Sequence, residues 1–286
     1  MAEGGGLLNR YTGQNLYRGF ESLPLRQILP ARSFASLGVS AADDHRQGAQ
    51  SLDAVTARCL SYNGAGMPDT SIEPFLDETC EPRVRGFLHH PVSPGGEALV
   101  LTHGAGANCQ SPLLLAVAGA FAECGTTVLR CDLPFRQMRP HGPPSAGSAA
   151  RDREGLRQAV TAIRKIVPGR VSLGGHSYGG RQATMLAAED PSVAAALLLL
   201  SYPLHPPRRP TQLRTAHFPQ LRLPSLFVTG TRDEFASVGE ITSALELIPA
   251  RTRLLVIEGA GHSLAGRGEL PAVTAKVVSS FRELIG

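Results

Sequence analysis

Seven residues, Gly174-Gly175-His176-Ser177-Tyr178-Gly179-Gly180, constrain this chain more than any other stretch. They follow a short apolar run, Arg170 to Leu173, and precede a helical one, Arg181 to Glu189. The order is strand, sharp turn, helix, with a Gly-x-Ser-x-Gly pattern (Gly175, Ser177, Gly179) at the turn. Strand and helix backbones pass too close there for a Cβ on either side of the serine, so glycine is needed at both flanks. The serine is thrust away from the sheet with its hydroxyl exposed. The backbone N–H of Tyr178 falls at a helix N-terminus, where it can stabilise a developing oxyanion.

The rest of the chain alternates in the same way. Strands are predicted at Val84–His90, Ala98–Thr102, Thr126–Arg130, Val193–Leu200, Ser225–Thr229 and Arg253–Ile257. Helices are predicted at Pro112–Cys124, Ser148–Ile166, Phe235–Leu247 and Leu270–Leu284. Several strands are continuous apolar runs, as expected where both faces are buried. Alternation of this kind means an α/β fold, a mostly parallel sheet covered by helices on both faces. Two proline-rich stretches, Asp132–Ala146 and Tyr202–Arg214, read as long loops of the sort that border a site. Order is expected to begin near Arg83, within one domain spanning 67–286.

Residues 1–66 read differently, rich in Gly, Ser, Gln and Arg, with no sustained period before Ser51 and one short helix possible at Ser51–Leu60. Gly19-Phe20-Glu21-Ser22 matches what translation of a transfer-RNA T-arm gives, so the natural start is expected downstream, with Met67 the internal candidate. A poorly structured native tail is the alternative. Either way the segment carries no chemistry.

Composition excludes several function classes. With 286 residues, 42% of them hydrophobic, the chain can bury a sizeable core. No apolar run approaches the ~20 residues of a membrane span, and no basic-then-apolar segment marks a secretory signal. Five cysteines (Cys59, Cys80, Cys109, Cys124, Cys131) are scattered without metal-ligand spacing and read as reduced thiols of a cytoplasmic protein. The net charge of +4 is almost all arginine, with only Lys165 and Lys276 as lysine, and no basic run is interleaved with aromatics. Neither a nucleic-acid partner nor a membrane is expected, and no metal or cofactor is called for.

Three loops at strand ends supply what Ser177 would need, because ligands of open α/β sheets gather at the carboxyl ends of the strands. After Ser225–Thr229 comes Gly230-Thr231-Arg232-Asp233, and after Arg253–Ile257 comes Glu258-Gly259-Ala260-Gly261-His262. A serine hydroxyl needs an imidazole to take its proton, and the imidazole needs a carboxylate to fix its tautomer. Ser, Asp, His is the chain order of α/β-hydrolases. The loop His103-Gly104-Ala105-Gly106 stands where a second oxyanion N–H is supplied, so Ala105 and Tyr178 are the candidate oxyanion donors. Asp233 holds the better position for the acid, and Glu234 is the alternative. Singly, Asp233 also reads as a helix N-cap and His262 as a loop histidine. His176 is read as supporting the turn, His103 as bracing the oxyanion loop, and Cys109 as a passive small residue. Gly106, Arg136, Arg139, Arg181 and His205 are candidate substrate contacts, with surface or structural roles the plainer reading of each side chain alone.

From about Arg83 onward the chain resembles the bacterial branch of the KANL3/Tex30-type α/β-hydrolase-like proteins. The resemblance rests on Leu101 to Gly106, Gly175 to Arg181, Leu200-Ser201-Tyr202-Pro203-Leu204-His205-Pro206-Pro207, Leu226 to Asp233 and Gly261-His262-Ser263. It implies an α/β-hydrolase core with little or no cap, similar to dienelactone-hydrolase-like enzymes, and Ser177, Asp233 and His262 as nucleophile, acid and base. Two functions follow: a serine hydrolase acting on an ester, thioester or small amide of a small-molecule substrate, or a catalytically silent interaction module that kept the fold.

Overall fold

The computed structural model describes residues 70–264 and 269–286. The expectations for 1–66, the Ser51–Leu60 helix and the Met67 start lie outside them. Eight strands form one sheet: β1 (Ser71–Asp77), β2 (Val84–His90), β3 (Ala98–Thr102), β4 (Thr127–Cys131), β5 (Val171–His176), β6 (Leu197–Leu200), β7 (Ser225–Gly230) and β8 (Thr252–Ile257). Their spatial order is β1-β2-β4-β3-β5-β6-β7-β8. The β1–β2 and β2–β4 pairs are antiparallel and every other pair is parallel.

Period-two alternation explains why the central strands are apolar throughout. Ala98 and Val100 of β3, with Leu197 and Leu199 of β6, enter one core. Leu99 and Leu101, with Leu198 and Leu200, enter the core on the other face. Helices α1 (Pro112–Glu123) and α6 (Leu270–Ile285) cover the second face. Helices α3 (Ser148–Arg164), α4 (Tyr178–Glu189) and α5 (Val238–Leu245) cover the first. Each leucine so buried contributes about 1.5–3 kcal/mol.

Four expectations are corrected. Order does not begin at Arg83: β1 precedes it as an edge strand, mostly exposed and interrupted by Pro74. Proline fits there because an edge strand need not donate on its outer side. The Asp132–Ala146 loop contains a short helix, α2 (Pro134–Met138), started by Pro134 at a first-turn position. Helix α5 starts at Val238, not Phe235, because Ser237 and Glu240 form a reciprocal capping box. Among the cysteines, Cys80, Cys109 and Cys131 are free thiols, whereas Cys124 is disulfide-bonded, against the expectation of five reduced thiols.

Candidate active site

Ser177 sits between the last residue of β5 and the first of α4, with φ 51° and ψ −115°. A non-glycine residue rarely adopts such a backbone, and it is held here by packing on both sides. A Cβ on Gly175 would lie 2.8 Å from the Gly179 carbonyl carbon, and one on Gly179 would lie 2.6 Å from the His103 oxygen. The glycines on both flanks are therefore steric requirements of this turn.

The loops after β7 and β8 meet over the serine. His262 Nε2 is 2.8 Å from Ser177 Oγ, and His262 Nδ1 lies 2.9 and 3.0 Å from the two carboxylate oxygens of Asp233. The Asp233 side chain is fully buried, and its Oδ1 also accepts the Phe235 N–H at 2.9 Å. The local turn role and the contact with His262 thus coexist at Asp233. Glu234 is exposed. The Phe235 ring lies against the imidazole of His262 with centroids 4.1 Å apart.

His176 holds the loop that carries His262: its Nε2–H donates to the His262 carbonyl at 2.9 Å. Burial lowers its pKa to about 4, so it stays neutral through the ordinary pH range. His103 is fully buried, donates through Nδ1 to the Gly104 carbonyl at 2.9 Å and accepts the Leu133 N–H at Nε2 at 3.1 Å. Burial again favours its neutral form. Its loop lies directly on Ser177, since a Cβ on Gly104 would be 3.3 Å from Ser177 Cβ. Tyr178, as the first residue of α4, has an N–H with no intrahelical acceptor. Its hydroxyl donates to Asp152 Oδ2 at 2.8 Å, and Asp152 Oδ1 accepts the Phe135 N–H at 3.0 Å. Asp152 is wholly buried, which raises its pKa despite these two donors.

The candidate substrate contacts divide. Gly106 is exposed in open space at the tip of the His103–Gly106 loop. Arg136 is buried, and its guanidinium donates to the carbonyls of Ala105, Ala107, Arg139 and Gly142 at 2.7–3.0 Å. It holds the loop after β3 in place instead of facing a ligand. His205 is buried and donates through Nδ1 to Pro206 O at 2.8 Å, while its backbone N–H bonds Phe235 O at 3.2 Å. It ties the loop after β6 to the loop carrying Asp233. Cys109 is buried, and burial pushes its thiol far above the thiolate range, consistent with a passive residue. Sequence reasoning missed Asp152 and Phe235: an acid between Arg151 and Arg153 on an amphipathic helix looks like surface charge, and a loop phenylalanine like core. A cavity of about 280 Å³ lies at the opposite, amino end of the sheet, beside Ala98, Ser172 and Pro224.

Sheet, serine turn and strand-end loops define an α/β-hydrolase. The chain belongs to the family described as alpha/beta hydrolase domain, which matches residues 95–285. Solved structures share the fold. A dienelactone hydrolase from Anabaena variabilis is 21% identical with a TM-score of 0.62, over 77% of this chain and 100% of that one. An alpha-beta serine hydrolase homologue from Coxiella burnetii is 17% identical with a TM-score of 0.61, over 73% and 96%. Est1E from Butyrivibrio proteoclasticus is 17% identical with a TM-score of 0.60, over 74% and 98%. Among the described residues no helix is long and apolar enough to cross a membrane.

Proposed function

We propose that this chain is a cytoplasmic serine hydrolase that cleaves an ester, thioester or small amide of a small-molecule substrate through an acyl-enzyme. One observation carries the reading: a single imidazole, His262, bonds Ser177 on one nitrogen and a fully buried carboxylate, Asp233, on the other. Ser177 Oγ attacks the carbonyl carbon while His262 Nε2 takes its proton, and Asp233 stabilises the imidazolium. The N–H groups of Tyr178 and Ala105 hold the oxyanion. Collapse of that intermediate breaks the bond to the alcohol, thiol or amine, which leaves with the proton from His262. Water, deprotonated by the same imidazole, then releases the acid. None of these steps needs a metal or cofactor, and neither nucleic acid nor a membrane takes part.

The segments around Tyr202 to Pro207 and Gly175 to Arg181 support a place in the KANL3/Tex30-type branch. The names of the dienelactone hydrolase and the serine hydrolase homologue of the same fold agree with acyl transfer. Residues 67–286 are taken as the hydrolase domain. A fluorophosphonate probe labels only an activated serine, so the wild type should be labelled and Ser177→Ala should not. An unlabelled wild type would leave the silent interaction module as the reading.

A further inference from the structure

Acyl transfer by the triad makes no use of Arg181, although it stands one helical turn from the nucleophile, its N–H bonded to the Ser177 carbonyl at 3.0 Å. Its Nε is buried without an acceptor, and its guanidinium forms no hydrogen bond or ion pair among the described residues. Its charge acts on the phenols of Tyr178 and Tyr202, the imidazole of His217 and the guanidinium of Arg214. None of them is negative at neutral pH. Arg214 is little better supplied, with one 3.4 Å contact from Nη1 to the Pro203 carbonyl. Burial and then Arg181 hold its pKa below the usual guanidinium value. Arg153 on α3 differs: Glu189 pairs with it at 2.9 Å and Gln182 Oε1 accepts from it at 3.3 Å. Gln182 itself is wholly buried, and its Nε2 is a second donor without an acceptor.

Two half-buried guanidiniums that act on each other's charge repel, and the Arg181 Nε and Gln182 Nε2 donors left dry have lost their water without a replacement. An anion between them reverses both penalties, and the planar fork of arginine suits a carboxylate or phosphate. We propose that Arg181 and Arg214, on α4 and on the loop after β6, bind an anionic group of the substrate, a carboxylate or a phosphate. Assigning that anion to the substrate rests on the acyl-transfer reading, whereas the anion site itself does not. Tyr178 links the two, since it carries an oxyanion N–H and lies within range of Arg181.

The test separates them. In Ser177→Ala protein, calorimetric titration with succinate and with inorganic phosphate should show saturable binding of at least one. Arg181→Gln or Arg214→Gln in that background should weaken it about ten- to hundredfold, the loss expected for charge-assisted hydrogen bonds. The tighter anion tells carboxylate from phosphate. With Ser177 present, the preference in kcat/KM for p-nitrophenyl hemisuccinate over p-nitrophenyl butyrate should fall about tenfold in each arginine variant where carboxylate is bound. Binding of neither anion, or binding unmoved by both substitutions, overturns the site even if both esters are hydrolysed. Anion binding by a protein that hydrolyses no ester and takes no fluorophosphonate overturns acyl transfer and leaves the site standing. Should one variant fail to fold by circular dichroism, the other carries the test.

Discussion

Replacing Asp233 by asparagine changes one atom and reverses the direction of the whole hydrogen-bond chain. The carboxylate accepts three contacts: the Phe235 N–H at 2.9 Å and His262 Nδ1 at 2.9 and 3.0 Å. Phe235 is a fixed donor, so the asparagine oxygen stays on it and the amide N–H₂ turns to His262. Nδ1 must then accept, which moves the ring proton to Nε2. That nitrogen now donates to Ser177 and cannot take its proton. The imidazolium also loses its counter-charge. The expected loss in kcat is on the order of 10⁴, the size found when a triad acid is neutralised elsewhere. At 1.36 kcal/mol per decade this is about 5.4 kcal/mol of transition-state stabilisation. Hydrolysis of p-nitrophenyl butyrate measures it, with circular dichroism to show that the variant folds. Glu234→Gln serves as the control, because that side chain is exposed and should leave the rate near wild type. An Asp233→Asn rate within about tenfold of wild type would refute the assignment, and a collapse in Glu234→Gln would move the acid there.

Four further outcomes follow from the geometry. Ser177→Gly should melt above Ser177→Ala, because both lose the hydroxyl but only glycine relieves the backbone at φ 51°, by about 1 kcal/mol; equal melting temperatures would argue against strain. Gly175→Ala should lose both activity and stability, since its Cβ would meet Gly179 and Gly180 backbone at 2.8–2.9 Å; an unaltered rate would mean the turn tolerates the methyl. Asp152→Ala leaves the Tyr178 hydroxyl and the Phe135 N–H without an acceptor in a buried place, a cost of about 1–3 kcal/mol each, readable in urea unfolding. Burial lowers His89, His176 and His217 to about 4 from 6.5. Below about pH 6.5 the unfolded chain binds protons that the folded one refuses until about pH 4, so stability should fall with pH across that window; a flat profile there would contradict neutral buried histidines.

Local chemistry made much of this protein legible in its sequence. The serine turn declares itself because three backbone segments cross within a few ångströms and only glycine fits; Gly175 and Gly179 are visible without a structure. Ala98–Thr102 and Val84–His90 were read to the residue, since a central strand buried on both faces is a continuous apolar run and one nearer the sheet edge alternates. The chain order Ser177, Asp233, His262, each at a strand end, told which residues could meet. Edge strand β1 escaped because exposure removes the apolar pattern that reports a strand, and Pro74 hides it further. Helix α4 starts three residues earlier than its composition suggests, because Gly179 and Gly180 are helical only under the packing of Thr102, His103 and Leu199.

What only the tertiary structure decided is which partner each polar side chain meets. Arg136 reads as a cation free to meet a ligand until four carbonyls are seen closing on it, two of them, Ala105 and Ala107, from a loop some thirty residues away. Asp152 and Arg181 show the converse. One looks like helix-surface charge and is a wholly buried anchor for Tyr178; the other looks like any helix arginine and is a donor with nothing to bond. Backbone conformation is settled by neighbours in the chain, which a sequence displays. Solvation and pairing of a charge are settled by residues distant in the chain and near in space, and those distances exist only once the sheet has formed.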